Sequence, residues 1–440
     1  MNQKLSFSKL LSLSLMLFAM FFGAGNMIFP PMLGQLSGEN FLHSVAGFVV
    51  TDAGLSILGI AAVVMVGTKL DDLVGLIGPK FSVFVGVMIY LLIGPLFALP
   101  RTGTVSFELA VVPFIPDDIS KVTFSVIFTA IFFGITYILS LNPSKIVDIV
   151  GKVLTPVLLI SIAVIFITCF FHPVGEIGPA TGDYASIPFF KGMIEGYLAL
   201  DGLAALAFAI VVINAVKDFG ISEPKAIAKY TLLAGILAGV GLGITYLALG
   251  YVGAQTSNGP AFENGGQLLA TVVSKLLGTG GNIVLGLAVL LACLTTSIGL
   301  SSSFSDYFNL ILPKFSYKSI LATVCIFSFA LSNVGLTTMI HFTLPALVMI
   351  YPPAIALILL SFCNRWIKNK PEAYALALLL AFIIGIFDGL KTANISLGSL
   401  SELVSRIPLF DLGLGWVIPA IIGCLIGTLP CVKFLSNKNS

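Results

Sequence analysis

What this chain of 440 residues has least of is charge: only 10% of its side chains are Asp, Glu, Lys or Arg, against about 25% in soluble globular domains. That scarcity excludes the charged surface that a soluble enzyme, a nucleic-acid binder or a disordered scaffold needs. No polar stretch is long enough for a separate soluble domain. The six cysteines form no CxxC pair and show no metal-ligand spacing, so they read as small hydrophobes. His43, His172 and His341 stand isolated, without the partners that catalysis or zinc binding requires. What abounds is apolar residues, 58% of the chain, which places it in a lipid bilayer.

Uncharged intervals, tested against about 20 apolar residues per span, predict twelve membrane helices. They fall at about 10–35, 42–67, 82–110, 122–141, 153–171, 192–214, 231–253, 281–305, 319–332, 337–362, 373–390 and 412–432. The interval between Lys318 and Arg365 is about twice as long as one span needs, so it must fold back, with Ser332-Asn333-Val334-Gly335 as the turn. With the N-terminus in the cytoplasm, sixteen of the 22 Lys and Arg fall inside. Only Lys121, Lys191, Lys275, Lys391 and Arg406 fall outside, and Arg101 lies within a span. A miscount by one span would erase this bias, so it supports a multi-pass cell-membrane protein with both termini cytoplasmic. The run from Leu10 to Gly38 lacks an evident signal cleavage site and reads as a retained first span.

Two spans carry breaks. Phe22-Gly23-Ala24-Gly25-Asn26 interrupts the first and is followed by Pro30-Pro31, which suits a second half-helix starting near Asn26. Leu200-Asp201-Gly202 interrupts the sixth, where Asp201 has the chemistry of an N-cap. A single glycine break reads equally as close packing. Two at matched positions point to a transporter site, because irregular backbone at membrane depth survives only inside protein or beside a wet cavity. Spans 1 to 5 (about 10–171) and 6 to 10 (about 192–362) are nearly equal in length and enter from opposite sides. The fold expected is therefore an all-α membrane domain built as a 5+5 inverted repeat with discontinuous helices 1 and 6, plus two accessory helices at about 373–432. Such breaks suit a zwitterion and a cation: amides of Ala24, Gly25 and Asn26 for a carboxylate, carbonyls near Leu200 for an ammonium, and carbonyls ending the first half-helix for Na⁺.

The segment from Gly23 to Pro31, with Gly94-Pro95-Leu96-Phe97-Ala98-Leu99-Pro100-Arg101-Thr102, closely resembles the branched-chain amino acid carriers of bacteria. They are cation symporters for leucine, isoleucine and valine, and the resemblance extends over nearly the whole chain. It implies the LeuT-type fold, in which Ala292-Cys293-Leu294-Thr295-Thr296-Ser297-Ile298 is similar to the sodium-binding stretch. Carried over by position, Na⁺ would take the hydroxyls of Thr295 and Thr296 and the carbonyls of Ala292, Ala19 and Phe22, five neutral oxygens suited to a hard cation. Against this stands the habit of such hydroxyls of bonding back to their own helix. A second cation site, as in some relatives, would involve Asn26. No cofactor is implied beyond the coupling ion.

Asp201 reads either as a cap or as a proton carrier, and proton coupling is the rival to Na⁺. Arg101 and Glu108, two turns apart near the outer end of span 3, read as a gate or as interfacial charges. Asp52 has no partner evident in the sequence. Gly235, Gly239 and Gly243 allow close helix approach. Around the breaks Phe22, Met27, Ile28, Phe208 and Ile298 offer an apolar pocket, which argues against arginine, lysine or glutamate as cargo. The substrate-binding set is accordingly Gly23, Ala24, Gly25, Asn26, Leu200, Asp201, Gly202 and Phe208. A membrane enzyme is disfavoured because no nucleophile, base and orienting group cluster at any span end, and a passive channel remains a third reading.

Overall fold

Stretches of apolar residues closed by Ser, Asn, Gly or Pro become helices in the computed structural model, which describes residues 4–67, 73, 75–77, 79–116, 119–142, 147–367, 370–395, 404 and 406–432. All regular elements among the described residues are helical. Helix starts follow local chemistry. The Ser6, Asn264 and Ser316 side chains accept from amides three residues on, and Pro188, Pro224 and Pro371 occupy first turns whose amides need no partner.

The principal helices in chain order are α1 (Phe7–Phe21), α2 (Ala24–Ser37), α3 (Phe41–Val49), α4 (Leu55–Val66), α5 (Pro79–Leu91), α6 (Ala98–Ala110), α7 (Lys121–Ser140), α8 (Thr155–Phe171), α9 (Pro188–Tyr197), α10 (Asp201–Asp218), α11 (Pro224–Ala254), α12 (Gly265–Ile311), α13 (Tyr317–Ser332), α14 (Leu336–Phe362), α15 (Pro371–Thr392) and α16 (Val417–Gly427). Among the described residues eight helical stretches are long and apolar enough to cross a membrane. The α9 and α10 pair, bent by 48°, makes a ninth, and α1, α13 and α16 are shorter apolar helices. The expected turn before α14 is present, with Gly335 at φ 96°. Lys69, Lys145, Lys368, Lys433, Lys438 and the side chains of Lys80 and His341 lie outside the described residues.

The two breaks occur where the sequence predicts them, with one shift. The second half-helix begins at Ala24, so Pro30 and Pro31 sit a turn deeper than a first-turn position. There they deprive the Asn26 and Met27 carbonyls of helical donors. Further irregularities have no counterpart in the sequence reading, among them a wide-turn stretch at Val147–Leu154. Five residues of wide turn, Val50–Gly54, separate α3 from α4 and carry Asp52, while Leu92–Leu96 precedes α6 with Gly94 at φ −88°, ψ −121°. Helix α12 is one long element bent at Gly278, where φ is +59°, rather than the shorter span beginning near 281.

The broken first helix lies at the centre. Helices α10, α11 and α12 pack on α1, and α3, α11 and α12 on α2, while α15 and α16 stack outside α14. Burial follows the same order: 78% of the apolar window of α12 is buried against 22% for α7, whose Val122, Ile127, Ile131 and Ile138 face outward. A surface this apolar is suited to lipid. Close approach at the centre depends on glycine. A methyl group at Gly253 would stand 1.9 Å from the Pro31 carbonyl oxygen, and one at Gly34 would stand 2.0 Å from that of Gly250. Gly253→Ala is therefore expected to force α11 from α2 at a cost of about 1–3 kcal/mol. The check is a lower Tm of the detergent-purified protein; an unchanged Tm would contradict this packing.

Candidate functional site

The first break is a helix end and a helix start face to face. Phe22 leaves the α1 axis at ψ 86°, and Gly23 is extended at φ −118°, ψ −155°. The Gly23 amide donates to Asn26 Oδ1 at 3.1 Å, which fixes the orientation of the Asn26 amide. The backbone N–H groups of Ala24, Gly25 and Asn26 are the first-turn donors that any helix leaves without internal partners. Gly23 and Gly25 are needed for space: a Cβ at Gly23 would fall 2.7 Å from Thr296 Oγ1, and one at Gly25 would fall 2.9 Å from an Arg101 guanidinium nitrogen.

The second break contains a left-handed residue, Leu200, at φ 80°. A non-glycine residue there costs about 1–3 kcal/mol and persists only when its surroundings enforce it. Those surroundings include Arg101, whose buried guanidinium donates to the carbonyls of Leu198 at 3.1 Å and Ala199 at 3.2 Å. Arg101 thus satisfies the carbonyls released at the end of α9. The Leu200 carbonyl itself accepts from Leu203 and Ala204 inside α10. The carbonyls near Leu200 expected to hold an ammonium are therefore already engaged, by Arg101 or by the helix. Asp201 does not act as the expected cap. Leu200 is the N-cap without a side-chain bond, and Asp201 turns toward the first break.

There Asn26 Nδ2 donates to Asp201 Oδ2 at 2.6 Å and lies 2.5 Å from the Tyr246 hydroxyl. Tyr246 in turn donates to Asp52 Oδ2 and lies 3.3 Å from Asp201 Oδ2. Four helical segments thus meet in one buried polar cluster. Asp52, without a partner in the sequence, has Tyr246 as its partner in space. The sequence signal that could have paired them is weak: an intramembrane acid demands a partner, but 194 residues separate the two.

Across the cavity, Thr295 Oγ1 lies 2.7 Å from the Ala19 carbonyl and 2.9 Å from that of Ala292, with one hydrogen to donate to either, and Thr296 Oγ1 is 3.4 Å from that of Ala19. The back-bond to Ala292 is the ordinary habit of a membrane hydroxyl. The reach to Ala19 on another helix is not. It gathers four of the five oxygens of the anticipated ion site, while the Phe22 carbonyl ends the same half-helix.

Between these features lies a cavity of about 20 Å³, lined in part by Gly23, Ala24, Gly25, Asn26, Leu200, Asp201, Arg101 and Thr296. That volume is room for about one water. Gly202 and Phe208 are not in its wall. Phe208 packs behind it against Phe21 with ring centres 5.4 Å apart, and Gly202 faces Leu55 and Tyr351. A second cavity, a vestibule of about 880 Å³, is bordered by Ile28, Val105, Glu108, Glu263 and Lys275 and not by Arg101. Arg101 and Glu108, paired by helical spacing in the sequence, therefore serve different chambers.

Two solved structures share this fold. MhsT, solved in complex with L-phenylalanine, superposes with a TM-score of 0.54 at 15% identity, covering 95% of this chain and 97% of that one. Mhp1, a nucleobase-cation-symport-1 family transporter in a closed conformation, gives 0.58 at 14% identity, covering 97% and 94%. The class is thus a helical membrane protein of the LeuT type. More particularly, residues 6–433 match the family described as branched-chain amino acid transport protein, and the chain belongs to it. It is 45% identical to the branched-chain amino acid permease BraB of Bacillus subtilis over 433 residues, 97% of this chain and 96% of that protein. It is 40% identical to the branched-chain amino acid transport system 2 carrier protein of Pseudomonas aeruginosa over 430 residues, 97% of each. These relatives are named as permeases and carriers, in keeping with a transporter rather than an enzyme.

The role of Arg101 at the second break is open to direct test. Arg101→Ala leaves two buried carbonyls unpaired, each worth about 1.5–3 kcal/mol when bonded to a charged donor. Leucine uptake in cells expressing the variant at wild-type levels should fall by at least about tenfold, and Arg101→Lys, lacking the fork, should not restore it. Uptake within twofold of wild type would show that the break holds its shape without Arg101.

Proposed function

We propose that the protein is a secondary active transporter that carries leucine, isoleucine and valine into the cell together with Na⁺, by alternating access around its two broken helices. The observation that carries this reading is the convergence of the Thr295 and Thr296 hydroxyls with the Ala19 carbonyl beside a cavity walled by both breaks. Na⁺ would be held by those oxygens with the Ala292 and Phe22 carbonyls, a neutral oxygen set that leaves the ion's charge uncompensated and so exposed to the membrane potential, about 2.3 kcal/mol per 100 mV.

The substrate carboxylate would meet the amides of Ala24, Gly25 and Asn26, where a helix start carries partial positive charge. Its ammonium would face Asp201, which lines the same cavity. Gly23, Leu200 and Gly202 would shape the breaks, and Phe208 would back the apolar pocket. A cavity of about 20 Å³ must widen to admit a leucine, consistent with a closed stage of an alternating cycle. The proposed layout is twelve spans with both termini in the cytoplasm: repeat one at about 10–171, repeat two at about 192–362, and two accessory helices at about 373–432. In that frame α1 and α2 form one span, α3 and α4 another, and the vestibule opens outward.

The test is radiolabelled leucine uptake into proteoliposomes carrying an imposed inward Na⁺ gradient. Accumulation above equilibrium is expected, and Thr296→Ala should raise the Na⁺ concentration for half-maximal uptake by about tenfold, the loss of roughly 1.4 kcal/mol of ion binding. Unchanged Na⁺ dependence in Thr296→Ala would remove the ion assignment. Equilibration without accumulation would indicate a passive channel.

A further inference from the structure

Beside the cavity sits a pair of buried acids that the Na⁺ site does not use. We infer that Asp52 and Asp201 form one proton-binding site, bridged by the Tyr246 hydroxyl, whose proton enters with the amino acid. The inference rests on the reading that the adjoining cavity holds the substrate.

The hydrogens available to these oxygens are too few for two ionised acids. Both acids are buried, Asp52 at 0% exposure and Asp201 at 3%. The Tyr246 hydroxyl has a single hydrogen but is in reach of a carboxylate oxygen from each acid. If that hydrogen serves Asp52, the Tyr246 oxygen and Asp201 Oδ2 face each other at 3.3 Å with lone pairs alone, unless Asp201 is protonated. If it serves Asp201, the same shortage falls on Asp52. Asn26 cannot accept instead, because its oxygen is committed to the Gly23 amide and it presents its NH₂ to the pair.

Charge balance agrees. Asn26 from α2 and Tyr246 from α11 bond to the pair, Arg101 from α6 lines the same small cavity as Asp201, and the Tyr351 hydroxyl from α14 lies beside Gly202. Arg101 is the one permanent cation among them. Two ionised acids with Arg101 leave a buried net negative charge; one proton on the pair makes the group neutral, the state a low-dielectric interior favours. Asp52 Oδ1 has no hydrogen-bond partner, which is less costly for a neutral acid than for an anion. The location supplies the coupling. Asp201 lines the cavity, and the pair joins the turn between α3 and α4 to α2, α10 and α11. A proton loaded while the cavity is open to one side is sealed in and released with the cavity's contents.

Two measurements test this. In infrared spectra of the purified protein, wild type minus the double variant Asp52→Asn, Asp201→Asn should contain the carbonyl stretch of one protonated carboxylic acid beside one carboxylate band. Carboxylate bands alone mean two ionised acids and overturn the inference, whatever the protein transports. Should the double variant not fold, Tyr246→Phe serves: the acid band must shift, and an unmoved band overturns the bridge. In proteoliposomes at a clamped membrane potential, with an internal pH dye and a saturating Na⁺ gradient, leucine should acidify the lumen in a fixed ratio to radiolabel taken up. In Asp52→Asn that ratio should fall by about tenfold or more. Leucine accumulation without acidification, or an unchanged ratio in the variant, overturns the proton's transit while leaving Na⁺ symport intact. Absence of leucine uptake in wild type overturns the transport reading itself, and the infrared result then stands alone on the proton.

Discussion

A backbone amide or carbonyl that leaves its helix inside a bilayer has no water to turn to, and each one left unpaired costs several kcal/mol. The architecture at the centre of this protein answers that constraint. Two helices are interrupted, and several of the released groups find side chains. Asn26 accepts from the Gly23 amide, and Arg101 takes the Leu198 and Ala199 carbonyls. Thr295 reaches the Ala19 carbonyl from another helix. The first-turn amides of Ala24, Gly25 and Asn26 are left facing the cavity, where they are available to a ligand carboxylate.

The same constraint explains why the breaks are legible in the sequence and their partners are not. Gly23, Gly25 and the Leu200-Asp201-Gly202 stretch announce irregular backbone by local chemistry, which periodicity and propensity register directly. Thr295 and Thr296 stand out only through family resemblance, because a pair of hydroxyls in an apolar helix is locally ordinary. Helical spacing sets Arg101 beside Glu108, yet its real partners lie 97 and 98 residues away. Asp52 and Tyr246 are further apart still. A single sequence carries no record of such long-range pairs, so polar partners across helices cannot be read from it. Asp201 shows the same limit: its residue type suits a cap, but contact with Asn26 and Tyr246 overrides that local preference.

The wide turn at Val50–Gly54 and the break at Gly94 escape the sequence for a different reason. The residues around Asp52 are compatible with continuous helix, and only their packing decides otherwise. A wide turn adds a residue to the helix and rotates the turns after it, a device frequent at functional sites. Here it lies where Asp52 meets Tyr246, and α9 packs against it closely enough that a Cβ at Gly196 would fall 2.1 Å from Thr51 Oγ1. At Gly94, a Cβ would fall 2.7 Å from the Phe304 ring. Both irregularities are thus fixed by neighbours distant in sequence.

The two proposed cation sites divide their chemistry in a physically reasonable way. Neutral oxygens at Thr295, Thr296 and Ala19 would hold a hard metal ion without trapping it, because no full negative charge must be separated when it leaves. A proton needs the opposite: a basic oxygen sheltered from water, which Asp201 offers only while the helices around it are closed. Both sites touch the first broken helix, one through the Ala19 carbonyl and the other through Asn26. Movement of that helix relative to α10, α11 and α12 would therefore disturb both together. Each ion could bias the same equilibrium between open and closed arrangements, and by linkage each would then raise the affinity for the other and for the amino acid between them. Coupling in this scheme needs no long pathway, since the substrate cavity is the wall that the two sites share.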